Sequence, residues 1–108
     1  MSGPSKLDNI LGALADPTRR AILLRLSRGE ARVTDLAAPF AISLNSVSKH
    51  IRILERARLI ERRKTGREHV LSRSPRALNE AAAWIETLQA KWHSRLDRLE
   101  KALDEEES

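Results

Sequence analysis

Asn45, Ser46, Ser48, Lys49 and Arg52 stand within eight consecutive residues, and Arg62, Arg63, Lys64 and Arg67 crowd into six positions shortly after. Asparagine matches the donor and acceptor pattern of an adenine edge and arginine that of guanine, while serine and lysine reach bases or phosphate oxygens. The later arginines offer charge to a polyanionic backbone. Nothing in the chain suggests covalent chemistry. Its serines are scattered, no His–carboxylate pair sits beside a glycine-rich nucleophile turn, and no G-x-x-x-x-G-K loop is present to cradle phosphates. There is no cysteine, which removes disulfides, thiolate metal sites and a cysteine nucleophile together. Three histidines cannot build a usual tetrahedral metal site without carboxylates. No catalytic residue, metal ligand or cofactor is therefore expected.

The charge distribution supports a polyanionic partner. The chain has 108 residues and a net charge of +5. Residues 40–76 carry ten Lys and Arg against three Glu, whereas residues 77–108 carry four basic and eight acidic groups. A concentrated positive centre beside an acidic end is the electrostatic footprint of a nucleic-acid binder. Aromatic residues are 3% of the chain and tyrosine is absent, so a stacking platform for single strands is not expected. No apolar run approaches the roughly 20 residues of a membrane span. Met1-Ser2-Gly3-Pro4-Ser5 leads into no long apolar block, so no secretory signal is expected, and the lack of cysteine fits a cytoplasmic address.

These side chains need elements to hold them. Leu7, Ile10, Leu11 and Leu14 share one helical face over Lys6 to Ala15. Asp16-Pro17 starts a second helix that runs to about Ser27 and ends at Gly29. Thr34 is placed as the cap of a short third helix from Asp35 to Phe40, with Pro39 awkward inside it. Ser43 caps a fourth helix, Leu44 to about Ala57, that buries Val47, Ile51 and Leu54 and turns Asn45, Ser48, Lys49 and Arg52 largely outward. Leu44, exposed near its start, suits a thymine methyl, and His50, beside the buried face, suits packing or a phosphate. Leu59 to Lys64 and His69 to Arg73 read as a hairpin around Thr65-Gly66-Arg67-Glu68, with His69 assigned to packing. From Arg76 to about Leu103 no Gly or Pro interrupts a last helix of about 28 residues, roughly 42 Å long. Leu78, Ile85, Trp92 and Leu99 recur every seven residues, and His93 and Asp97 are spaced to pair. This stripe calls for a partner helix, most simply that of a second copy. Asp104 to Ser108 reads as a frayed acidic tail.

A short helix, a turn of about three or four residues and a capped second helix make a helix-turn-helix, and the basic hairpin after it makes it winged. The fold expected is mainly α with a small β-hairpin wing, one domain over residues 1–108 that dimerises through its terminal helices. Leu14-Ala15-Asp16-Pro17-Thr18-Arg19-Arg20-Ala21-Ile22, Asp35-Leu36-Ala37, Ser43 to Leu54, and the Gly66-Arg67 wing together resemble the ArsR/SmtB family of bacterial winged-helix repressors. The stretch from Trp84 through Trp92 to Leu99 is similar to the SdpR-like branch, whose members commonly lack the metal cysteines. The resemblance implies a homodimer on a pseudo-palindromic double-stranded DNA operator, with Asn45, Ser46, Ser48, Lys49, Arg52, Arg62, Arg63, Lys64 and Arg67 at the DNA. It implies Leu7, Ile10, Leu78, Ile85, Trp92, Leu96, Leu99 and Leu103 at the dimer seam. The alternatives are a metal- or ligand-sensing derepressor of the same fold and a winged-helix protein-interaction module.

Overall fold

A computed structural model describes residues 5–107; Met1 to Pro4 and Ser108, which carry the leader reading and the last residue of the tail, lie outside them. The elements in order are α1 (Lys6–Leu14), α2 (Pro17–Leu26), β1 (Ala31–Arg32), α3 (Val33–Ala37), α4 (Leu44–Arg56), β2 (Ile60–Thr65), β3 (Glu68–Arg73) and α5 (Pro75–Glu107). The helix starts follow their caps. The Ser5 hydroxyl accepts the Asp8 N–H while the Asp8 carboxylate accepts the Ser5 N–H, a reciprocal box. The Asp16 carboxylate accepts the Arg19 N–H at 3.0 Å, with Pro17 in the first helical position.

One core joins all the elements. Ile10 and Ala13 of α1, Ile22, Leu23 and Leu26 of α2, Leu36 of α3, Val47, Ile51 and Leu54 of α4, Leu71 of β3 and Ala77 and Ala81 of α5 are buried together. The sheet is antiparallel in the order β1-β3-β2. Thr65 pairs with Glu68, so the wing tip is a two-residue loop, Gly66-Arg67, tighter than the four-residue turn read from sequence. Gly66 has φ 63°, which glycine at the first loop position of a hairpin accommodates without a Cβ clash.

The elements depart from the expected ones at four points. The third helix starts at Val33, not after Thr34, because the Asp35 carboxylate accepts the Arg32 N–H and also pairs with the Arg32 guanidinium. It ends at Ala37, because Pro39 has no N–H to extend it, so the link to α4 spans residues 38–43 and exceeds the expected turn. The pairing of Ala31 with Leu71 adds β1, a strand of two residues, too short to show an alternating pattern. The last helix runs 33 residues through Glu107, about 50 Å at 1.5 Å per residue, so Asp104 to Glu107 continue the helix.

Candidate nucleic-acid interface

Helix α4 is fixed from beneath. Val47, Ile51 and Leu54 are completely buried, and the Ser43 hydroxyl accepts the Ser46 N–H at 3.1 Å to close the first turn. With that face locked, Asn45, Lys49 and Arg52 are exposed on the opposite side, while Ser46 and Ser48 are half-buried on the flanks. The Ser46 hydroxyl also accepts from that of Ser43, which commits it in part to the cap. Leu44 is exposed at the helix start. Arg56 completes the row: it stands four residues after Arg52 and seven after Lys49, and is exposed. Arg56 is absent from the expected contacts, although the helical period that links Lys49 and Arg52 includes it one turn further on.

The wing cations divide into two pairs. Arg62 forks onto Glu55 of α4, Nη2 to Oε1 at 2.6 Å and Nε to Oε2 at 3.3 Å, tying the wing to the end of the helix. Arg63 reaches Glu30 at 2.8 Å. Lys64 and Arg67, at the tip, are exposed and have no side-chain hydrogen bond or ion pair among the described residues, and the same holds for Lys49, Arg52 and Arg56. The structure therefore brings two uncommitted clusters of positive charge onto α4 and the wing tip, and holds Arg62 and Arg63 in internal pairs.

The second helix also bears on α4. Arg19 Nε donates to the Ala13 carbonyl at 2.7 Å and its Nη2 to that of Gly12 at 3.1 Å, while Arg20 Nη1 donates to the Leu14 carbonyl at 2.8 Å. These arginines satisfy carbonyls in the last turn of α1, where positive charge is favoured. The remaining nitrogen of Arg19, Nη1, lies 3.3 Å from His50 Nδ1 on α4. The Arg19 N–H holds the Asp16 carboxyl below its ordinary pKa, an effect that burial opposes and the Arg19 charge reinforces.

Several seam and histidine assignments change. Ile10 is 2% exposed and belongs to the subunit's own core, so it has no surface to offer a second copy. Leu7 and Leu78 are partly buried against that core. Ile85, Trp92, Leu96, Leu99 and Leu103 are all exposed, Trp92 at 60%, and Trp84 and Leu88 lie exposed among them. His69 is exposed rather than packed, because it sits on the outlying half of β3 opposite Lys64. His93 and Asp97 form no ion pair with each other. Among the described residues no three His, Asp or Glu side chains gather as a metal-holding group.

A helix-turn-helix whose second helix turns a polar cationic row outward, followed by a basic two-stranded wing, defines a winged helix-turn-helix. A helix-turn-helix domain model matches residues 14–63. The chain is 36% identical over 99 residues to the HTH-type transcriptional regulator Rv2034 of Mycobacterium tuberculosis, covering 92% of this chain and 90% of that one. It is 34% identical over 79 residues to the transcriptional repressor SdpR of Bacillus subtilis, covering 73% and 88%. A crystal structure of an ArsR family transcriptional regulator superposes with a TM-score of 0.79 at 43% identity, covering 82% of this chain and 98% of the other. The chain belongs to the ArsR family of winged helix-turn-helix transcriptional regulators, a family of DNA-binding proteins and not of enzymes.

Proposed function

We propose that the chain is a repressor that acts as a homodimer, in the cytoplasm, on a pseudo-palindromic double-stranded operator. The carrying observation is the row Asn45, Lys49, Arg52 and Arg56 on a helix whose other face is locked in the core. In this reading α4 enters the major groove and Asn45, Ser48, Lys49 and Arg52 meet base edges or phosphates. Lys64 and Arg67 reach the flanking minor groove, and Arg62 and Arg63 brace the wing that presents them. The relative from Bacillus subtilis is named a transcriptional repressor.

The second copy is argued from α5. Ala77, Leu78 and Ala81 pack into the subunit's core, and the same stripe continues bare through Ile85, Leu88, Trp92, Leu96, Leu99 and Leu103 at steps of three or four residues. Those steps average the turn of a straight α-helix, so the apolar residues stay on one face to the end. Fully covering a large apolar side chain gains about 1.5–3 kcal/mol, and a second α5 supplies the matching face. No described helix is long and apolar enough to cross a membrane.

A gel shift with mixed-sequence duplex DNA at low salt tests the reading. Binding that weakens steeply as salt rises is expected, because phosphate contacts release counterions. Indifference to duplex DNA in dilute buffer would leave the protein-interaction alternative in its place.

A further inference from the structure

We propose that Arg19 is a positioning residue that sets the tautomer of His50, so that His50 presents a neutral Nε2–H to a phosphate at the edge of the DNA groove. The inference rests on α4 entering the major groove. Arg19 is an obligate donor, and its fork is anchored by the carbonyls of Gly12 and Ala13 at 3.1 and 2.7 Å. Its third nitrogen meets His50 Nδ1 at 3.3 Å, so Nδ1 must supply a lone pair there. The competing partner, the Asp16 carboxylate, lies 3.8 Å from the same nitrogen, within ion-pair range of a protonated ring but beyond hydrogen-bond reach, so Arg19 is the hydrogen-bond partner of Nδ1. With Nδ1 an acceptor, the ring proton is on Nε2.

That nitrogen has no partner within the protein, but it is not sealed in. His50 retains 22% of its side-chain exposure, and no buried side-chain nitrogen or oxygen among the described residues lacks a hydrogen bond, so the unpaired Nε2 must reach solvent. His50 stands on the flank of α4, between the buried Val47, Ile51 and Leu54 and the outer row at Lys49. A helix is about 10–12 Å across and the major groove about 12 Å wide, so a helix seated there puts its flanks against the phosphate walls.

Two measurements test this. Nitrogen NMR of the imidazoles in the free protein at pH 8, where imidazoles are ordinarily neutral, should show His50 as the Nε2–H form. Arg19→Met should shift it to a mixture, and an Nδ1–H or mixed ring in the unmodified protein would overturn the proposal. Binding to an operator duplex and a random duplex is then compared for His50→Asn and His50→Gln. Asparagine keeps an acceptor near Nδ1 but has no group at Nε2, whereas glutamine places an amide donor near Nε2. His50→Asn should weaken both duplexes about equally, by roughly tenfold as expected for a lost hydrogen bond to a charged group, with the salt slope unchanged, and His50→Gln should recover most of the loss. Unchanged binding by His50→Asn would overturn the phosphate contact, and a salt slope smaller by about 0.9 would show a charged contact instead of a neutral one. Failure of the unmodified protein to bind any duplex would instead count against α4 entering DNA at all, and the NMR arm reads the Arg19–His50 relationship independently of it.

Discussion

Arg19 Nη1 and His50 Nδ1 meet at 3.3 Å across 31 residues of chain, so the helix that carries the outward cationic row is held by the same guanidinium that closes the end of α1. The orientation of α4 is thus a property of the whole helical layer, set by polar contacts as well as by Val47, Ile51 and Leu54 beneath it.

Arg52 is the residue of the row best suited to guanine. Arg52→Ala should cost about 1–3 kcal/mol of operator affinity and relax the preference at one base pair, if its guanidinium pairs with guanine O6 and N7. Titration of an operator and its single-base variants checks this. An equal loss on specific and random duplexes would place Arg52 on phosphates.

Trp92 lies in the middle of the bare stripe of α5 and is 60% exposed in one subunit. Trp92→Asp puts a charge where a second helix would have to bury it, which is costly without a partner. Light scattering should show monomers with poor operator affinity. An unchanged mass would mean that the copies meet elsewhere.

Arg58 has φ 60° at the end of α4, where its N–H bonds the Glu55 carbonyl and the Leu59 N–H bonds the Leu54 carbonyl, each at 3.0 Å. Glycine is the usual residue at this left-handed position. Arg58→Gly should raise stability by about 0.5–1 kcal/mol, the relieved strain being partly offset by the freer unfolded chain. Urea denaturation measures it, and a lowered midpoint would show that the Arg58 side chain contributes more than its backbone costs.

Two carboxylates give stability an acid limit. Asp16 is held below the ordinary carboxylate pKa mainly by the Arg19 N–H, and Asp35 mainly by the Arg32 guanidinium. A folded pKa below the unfolded one stabilises fully above the unfolded value, near 4, and that contribution is lost as pH falls through the folded value. Urea midpoints should decline as pH falls below about 4. The double change Asp16→Asn, Asp35→Asn should flatten that decline, and an unaltered decline would assign it to other groups.

Much of this was legible in the residues. Asp16-Pro17, Ser43 and the spacing of Val47, Ile51 and Leu54 placed α2 and α4, because caps and helical periods act locally. The two-residue β1 was not legible, since Ala31 and Arg32 pair only because β3 arrives from forty residues away. Ile10 shows the same limit: an apolar helical face does not state whether it meets its own subunit or another. Charge was legible but commitment was not, for Arg62 looks like Arg67 in sequence until Glu55 is brought beside it.

Selection of binding sites from a pool of random duplexes, with subunit stoichiometry measured on the winners, bears most directly on the central claim. Two subunits per site are expected on an inverted repeat whose half-site centres lie one helical turn apart, about 34 Å. Enrichment of an isolated half-site bound by one subunit, or no enrichment at all, would contradict it.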